Sequence, residues 1–210
     1  MNLEDFIIKA LSSKKPSLYF KNNKKTGKEI FPALYKLKSV PEMKKYHFHD
    51  NTFDHLMMII DYVAAETDEI NVLFAALMHD IGKLETEEDI LPHHYAHEKV
   101  GLEKLCEIAE GKLPPEYIDS AKVVIRYHMM IKNWNQLRPG TIVDMFNAIY
   151  YSPLLIEDFL IIIKADNMNK KNKESDIPYD EIAKLYENYV EEFDKLKDRN
   201  AQSLFIAGEK

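Results

Sequence analysis

From Asp50 onward, apolar residues recur three and four positions apart, the period of a helix with one buried face. His55, Met58, Ile59, Tyr62 and Val63 share one side of such a helix, and Asn51 or Thr52 is placed to cap it. Residues 69–80 read differently. Val72, Leu73, Phe74, Ala75, Ala76, Leu77 and Met78 are apolar nearly all round, which predicts a central helix covered on every side, and Gly82 is expected to end it. Further helices are predicted at about 93–110, 116–130, 141–151 and 153–168, punctuated by Pro114, Pro115, Pro139 and Pro153. A long amphipathic helix is predicted over about 179–199, carrying Ile182, Leu185, Tyr186, Tyr189, Val190, Phe193 and Leu196. Upstream, about 3–37 reads as helical, broken by Pro16, Gly27 and Pro41. Strand-type alternation is hard to find, and glycine is scarce at 6 residues. The expectation is an all-α bundle: a short helical, lysine-rich N-terminal extension over 1–45 and a domain over 46–210 with a long C-terminal helix, the two forming one compact unit.

Composition narrows the class. With 210 residues and 46% hydrophobic content, the chain can bury a sizeable core as one domain. A single cysteine, Cys106, cannot form an internal disulfide, which suits a reducing cytoplasm. Glu4 and Asp5 stand where a signal peptide needs basic residues, and the longest apolar runs, 72–78 and 159–163, are too short to span a bilayer. A soluble cytoplasmic protein with no membrane partner is expected. The net charge is −7, yet residues 14–45 hold ten lysines against Glu29 and Glu42 alone. Such a stretch can contact a phosphate-bearing partner, although charge alone fits a solvated lysine-rich surface better.

All eight histidines fall between His47 and His128. His79 and Asp80 are adjacent at the end of the most apolar predicted helix, where a charged carboxylate is costly unless something compensates it. A divalent cation held by imidazole and carboxylate removes that cost. His55 lies on the preceding antiparallel helix. Asp166 ends another apolar run, Phe159, Leu160, Ile161, Ile162 and Ile163. Singly, each has a bland explanation: a core histidine in a hydrogen bond, or an acid at a solvated helix end. Together, in this order, they point to a metal site.

The arrangement His55…His79-Asp80…Asp166 resembles the signature of the HD-domain phosphohydrolase superfamily. Phe74-Ala75-Ala76-Leu77-Met78-His79-Asp80-Ile81-Gly82-Lys83, Leu91-Pro92-His93-His94, His97-Glu98, Arg126-Tyr127-His128, Leu137-Arg138-Pro139 and Ala165-Asp166 are similar, in order, to the C-terminal HD domain of bacterial CCA-adding tRNA nucleotidyltransferases. Phe31-Pro32-Ala33-Leu34 and His47-Phe48-His49 extend the likeness upstream, so that it spans about residues 14–170. The Asp-x-Asp pair after a Gly-Ser or Gly-Gly loop, which nucleotide addition needs in that family, does not follow Gly140-Thr141.

The resemblance therefore implies an HD-domain helical bundle that breaks phosphate bonds rather than adding nucleotides. It implies His55, His79, Asp80 and Asp166 as ligands of one divalent metal ion, of the kind Mn, Ni, Co, Fe or Mg. His79 and Asp80 then stand at the catalytic centre with Lys83, Arg126 and His128. Lys83, His94, His97, Arg126, His128 and Arg138 become the candidates for holding substrate. A second metal ion through His93, His94 or His97 is the alternative use of those histidines. His93 and His97, four residues apart, would share a helix face. The implied substrates are phosphate esters of nucleotides or RNA ends: 2′,3′-cyclic phosphates, 2′-nucleotides or general phosphomonoesters. The alternatives are other HD nucleotide hydrolysis (5′-nucleotides, dinucleoside polyphosphates or guanosine tetraphosphate) and a tRNA-binding module working with a separate nucleotidyltransferase. The lone Trp134 reads as packing more readily than as a base-stacking platform.

Overall fold

Residues Val72–Met78 lie fully inside the protein, as their sequence demands. They belong to α6 (Ile70–Met78), the central helix of a computed structural model that describes residues 1–45, 48–168 and 177–210. Around α6 pack α1 (Leu3–Leu11), α5 (Thr52–Glu66), α8 (Pro115–Tyr127) and α10 (Ile156–Met168). Helix α7 (His97–Ala109) lies against α8 and against the short 3-10 turn Ile81–Glu85 that follows α6. Among the described residues the only strand-like pairing is one antiparallel bridge between Pro41 and Asn51. No helix among them is long and apolar enough to cross a membrane.

Local chemistry fixes the helix starts. Asn51 caps α5, its side-chain oxygen accepting the Asp54 amide at 2.9 Å. Proline occupies the first position of α8 and of α9 (Pro139–Tyr150), where its missing N–H costs nothing. The N-terminal helices α2 (Pro16–Asn22), α3 (Lys24–Ile30) and α4 (Pro32–Lys36) are pinned to the bundle rather than appended to it. Asp61 of α5 accepts both the amide and the hydroxyl of Ser17, at 2.9 and 2.6 Å, so a distant helix caps the start of α2. One continuous apolar core takes in Phe6 and Phe20 at one end of the sequence and Tyr189 and Ile206 at the other.

Four local expectations are corrected. Gly27 does not break the chain; it sits inside α3 because the Tyr35 ring lies against it, 2.2 Å from where a Cβ would stand. Gly82 is not a helix terminator either. The helix has already ended at Met78, and a Cβ on Gly82 would lie 1.9 Å from the His97 carbonyl oxygen and 2.6 Å from the Gly101 nitrogen. Its role is close approach, letting α7 lie directly on the 3-10 turn. Helix α7 begins only at His97, because Ala96 stands in the left-handed region at φ 56°, where a helix cannot run through. His93 and His94 are therefore outside it. Finally, the amphipathic C-terminal segment is two helices, α11 (Tyr179–Glu192) and α12 (Arg199–Glu209). A 3-10 turn, Phe193–Lys195, ends the first, and Asp198 caps the second by accepting the Asn200 and Ala201 amides.

Candidate metal centre

Three segments carry the predicted ligands: His55, His79 and Asp80 gather at one point, and Asp166 adjoins them through His55. His55 comes from the first turns of α5, His79 from the end of α6, Asp80 from the residue after it, and Asp166 from the last turn of α10. All four are buried. His79 Nε2 lies 3.3 Å from Asp80 Oδ2, and His55 Nε2 lies 3.6 Å from the same oxygen and 3.4 Å from Asp166 Oδ1. His79 Nδ1–H donates to the Ala76 carbonyl at 2.8 Å, one turn back along its own helix. That bond fixes the tautomer and leaves the Nε2 lone pair facing the carboxylates. Nε2 itself makes no hydrogen bond among the described residues. A buried acceptor beside the Asp80 carboxylate and a second imidazole is a donor set that a divalent cation completes.

Asp80 also turns its other oxygen to a second pair of imidazoles. Oδ1 lies 3.1 Å from His97 Nε2 and 3.5 Å from His128 Nε2, and the two Nε2 atoms are 3.2 Å apart. His97 Nδ1–H donates to the His94 carbonyl at 2.7 Å, and His128 Nδ1–H to the Val124 and Ile125 carbonyls at 3.1 and 3.0 Å. Burial pushes the His128 imidazole down to about 4, so it is neutral at neutral pH. The His128 Nε2 lone pair and the Asp80 carboxylate oxygen then lie beside the His97 ring. Asp80, His97 and His128 form a second group able to hold a metal ion, with Asp80 shared between the two.

Lys83 sits beneath this cluster rather than in front of it. Its ammonium is buried, 2.9 Å from Asp80 Oδ2 and 2.8 Å from Glu42 Oε1, and Thr52 Oγ1 donates to the same Glu42 oxygen at 2.8 Å. Burial would lower the Lys83 pKa, but the two carboxylates outweigh it and raise it above the usual lysine value. Burial would likewise raise Asp80. The charges of Lys83 and His79 overcome that and hold its carboxyl well below the usual range. Lys132, in the 3-10 turn Ile131–Gln136, pairs with Asp166 Oδ2, the oxygen turned away from His55. The site opens through a cleft of about 220 Å³ lined by Glu42, Lys83, His94, His97, Lys132 and Asp166, among others.

The family model for the HD domain matches residues 51–204 of the chain. The chain belongs to the HD-domain family. It is 35% identical over 172 residues to a multifunctional CCA protein of Mannheimia succiniciproducens, a match covering 77% of this chain and 41% of that protein. A multifunctional CCA protein of Pasteurella multocida is 34% identical over 197 residues, covering 87% of this chain and 46% of that one. The chain thus spans less than half the length of the curated relatives it matches.

Not every sequence-nominated residue reaches the HD site. His94 lines the cleft, but its two ring nitrogens are both engaged, by Thr86 Oγ1 at 2.7 Å and by the Pro41 carbonyl at 2.9 Å, so it ties the 41–51 segment to the cleft wall. Arg126 and Arg138 are exposed and stand outside the cleft lining. Arg126 lies over the Tyr127 ring, 5.6 Å from its centroid, and Arg138 precedes α9. His93 stacks on exposed Tyr95, and His49 Nε2 is 3.3 Å from Met58 Sδ. His47 lies outside the described residues. Trp134 is buried and stacked on Phe146, a core residue. Two site residues escaped the sequence reading: Glu42, one of two acids in the lysine-rich stretch, and Lys132, four residues beyond His128. The first had no local signal. The second had one, the i, i+4 spacing that puts neighbours on one face of a turn.

Proposed function

We propose that this HD domain is a metal-dependent phosphohydrolase acting on phosphate esters of nucleotides or RNA ends, of the 2′,3′-cyclic phosphodiesterase, 2′-nucleotidase or phosphatase type. One observation carries the reading: His55, His79 and Asp80 gather within reach of one ion, Asp166 adjoins them from a third segment, and Asp80 and Asp166 line an open cleft. Burial of two carboxylates at that depth is costly unless cations neutralise them, and a divalent ion fits the geometry. When bound there, such an ion supplies charge neutralisation at a phosphoryl oxygen and an acidified water. The chain's own residues do the rest. His79 is held in one tautomer by Ala76, Asp80 is kept ionised by Lys83, and Lys83 is itself anchored by Glu42. Asp80, His97 and His128 would be the residues to hold a second ion, were one bound. That reading makes more of His97 and His128 than substrate contact.

The cleft volume supports a terminal ester. About 220 Å³ admits a phosphoryl group and part of a ribose, while a whole drug-sized ligand needs about 300 Å³ or more, so the base would stay outside. The names of the relatives, multifunctional CCA proteins, favour an RNA end or the nucleotide derived from one. The lysine-rich residues 14–45 would then offer phosphate contacts to the body of a tRNA. The test is a panel of 2′,3′-cyclic, 2′-, 3′- and 5′-nucleotides with dinucleoside polyphosphates and guanosine tetraphosphate, offered to the protein loaded with Mn or Ni. Hydrolysis of the cyclic and 2′ esters is expected. Preferred cleavage of 5′-nucleotides or polyphosphates would move the protein to the other hydrolase class. No hydrolysis of any member, with tRNA binding retained, would favour a binding module.

A further inference from the structure

An ammonium group stands at the oxygen that a metal ion would take. Asp80 Oδ2 is the carboxylate oxygen that faces His79 Nε2 at 3.3 Å and His55 Nε2 at 3.6 Å, and Lys83 Nζ lies 2.9 Å from it. Two cations cannot both hold one buried oxygen at full strength, because they repel each other where little water screens them. Entry of an ion therefore requires Lys83 to draw back from Asp80. A buried ammonium that draws back without a second partner carries the full cost of its desolvation.

Glu42 is placed to be that partner. Its Oε1 accepts the Lys83 ammonium at 2.8 Å, and the same oxygen accepts the Thr52 hydroxyl at 2.8 Å. Thr52 is the first residue of α5 and is buried, so a helix aims the oxygen at Lys83. The backbone on either side is clasped as well. The Glu42 amide donates to the Asp50 carbonyl at 3.1 Å, and the Thr52 amide to the Val40 carbonyl at 3.0 Å. His94 Nε2 lies 2.9 Å from the Pro41 carbonyl oxygen.

We infer that Glu42 is a positioning residue for the metal site: it holds Lys83 back from Asp80 Oδ2 and thereby sets how tightly an ion binds there. The inference rests on the phosphohydrolase reading and names a residue outside the ligand set on which its metal affinity depends. It also ties the cleft wall to the metal position. Met43, the next residue, lines the cleft, so a shift of that wall would reach Asp80 through two polar contacts of 2.8 and 2.9 Å.

Titration of Mn²⁺ into the full chain, followed by calorimetry, separates grip on Lys83 from bare charge or support of the fold. Glu42→Gln keeps the shape of the side chain but removes the charge that competes for Lys83. It is expected to weaken Mn²⁺ binding about tenfold, the lower end of what the outer partners of a metal site contribute. Glu42→Asp keeps the charge but withdraws it by one methylene, and should show most of the same loss. In a Lys83→Met background there is no ammonium to hold, so Glu42→Gln should change Mn²⁺ affinity by about twofold or less, a strong non-additivity. Lys83→Gln is measured beside Lys83→Met, because Lys83→Met leaves two buried carboxylates without their cation, whereas Lys83→Gln offers them a hydrogen-bond donor. Parent-like Mn²⁺ affinity in Glu42→Gln or in Glu42→Asp would overturn the inference and leave the hydrolase reading intact. A loss of equal size with and without Lys83 would overturn it too, showing that Glu42 acts by its own charge or by supporting the fold. A parent chain that binds no Mn²⁺ would bring down the hydrolase reading and this inference together.

Discussion

Asp80 is the residue on which the site turns. One oxygen faces His55, His79 and Lys83, the other His97 and His128, and all of this happens in the interior. The neighbouring ammonium of Lys83 is what makes the carboxylate tolerable without a metal. Replacing Lys83 by Met removes that compensation and leaves Glu42 and Asp80 facing each other in a dry environment. The expected cost is about 3–5 kcal/mol, the usual penalty for stripping one partner from a buried ion pair. Urea unfolding measures it, and a variant within about 1 kcal/mol of the parent chain would show the pair to be well hydrated. One feature of the residue scale was legible before the fold: that His55, His79, Asp80 and Asp166 would lie close together in the interior. Glu42 was not, because nothing near position 42 marks an acid whose partner is 41 residues away. The pairing of His97 with His128 was hidden for the same reason, being made only when α7 packs on α8.

Elements position those side chains through close backbone approach. Helix α7 lies on the 3-10 turn after α6 only because Gly82 presents no side chain there: a Cβ would stand 1.9 Å from the His97 carbonyl oxygen and 2.6 Å from the Gly101 nitrogen. Gly82→Ala puts a methyl group onto backbone that cannot rotate away. The expected cost is about 2 kcal/mol or more, equivalent to about 4–8 °C in Tm for a chain of this size. Because the clash is with the His97 carbonyl itself, the same variant should displace the start of α7 while the His55–His79 position is retained. An unchanged Tm would contradict this packing. Helix identity was readable from periodicity, and the buried α6 most clearly. What periodicity missed were the places where tertiary contact overrides a local sign: Gly27 inside a helix under the Tyr35 ring, Gly82 as a contact point, and a left-handed Ala96 delaying α7.

At the scale of the molecule, one core joins the lysine-rich N-terminal helices to the HD bundle, and several phenols are built into it. Burial pushes Tyr35, Tyr186 and Tyr189 up to about 12 each; Tyr35 donates to the Phe20 carbonyl and Tyr189 to Asn147 Oδ1. In the unfolded chain these phenols ionise near 10. Between the two values the unfolded state has released more protons than the folded one, so stability falls as pH rises. Thermal unfolding followed across pH 9–12 should show a steady loss of Tm above 10, and a flat profile would contradict the buried placement of these rings. The all-α architecture followed from the scarcity of glycine and of alternation. The wall that Pro41, Glu42 and His94 build on the cleft did not, because it joins distant segments through hydrogen bonds that no pattern announces.

The central claim is that His55, His79, Asp80 and Asp166 hold a divalent ion on which phosphate-ester hydrolysis depends. Its most direct test is a titration of chelator-treated protein with Mn²⁺, following bound metal and 2′,3′-cyclic nucleotide hydrolysis in the same samples, for the parent chain and for Asp80→Asn. The account predicts activity that rises in step with bound metal in the parent chain, and an Asp80→Asn variant that is folded yet more than about 100-fold weaker in both, since even groups that only orient a ligand cost 10–100-fold. Hydrolysis that persists in the chelator-treated protein, or an Asp80→Asn variant that binds Mn²⁺ as tightly as the parent, would contradict it.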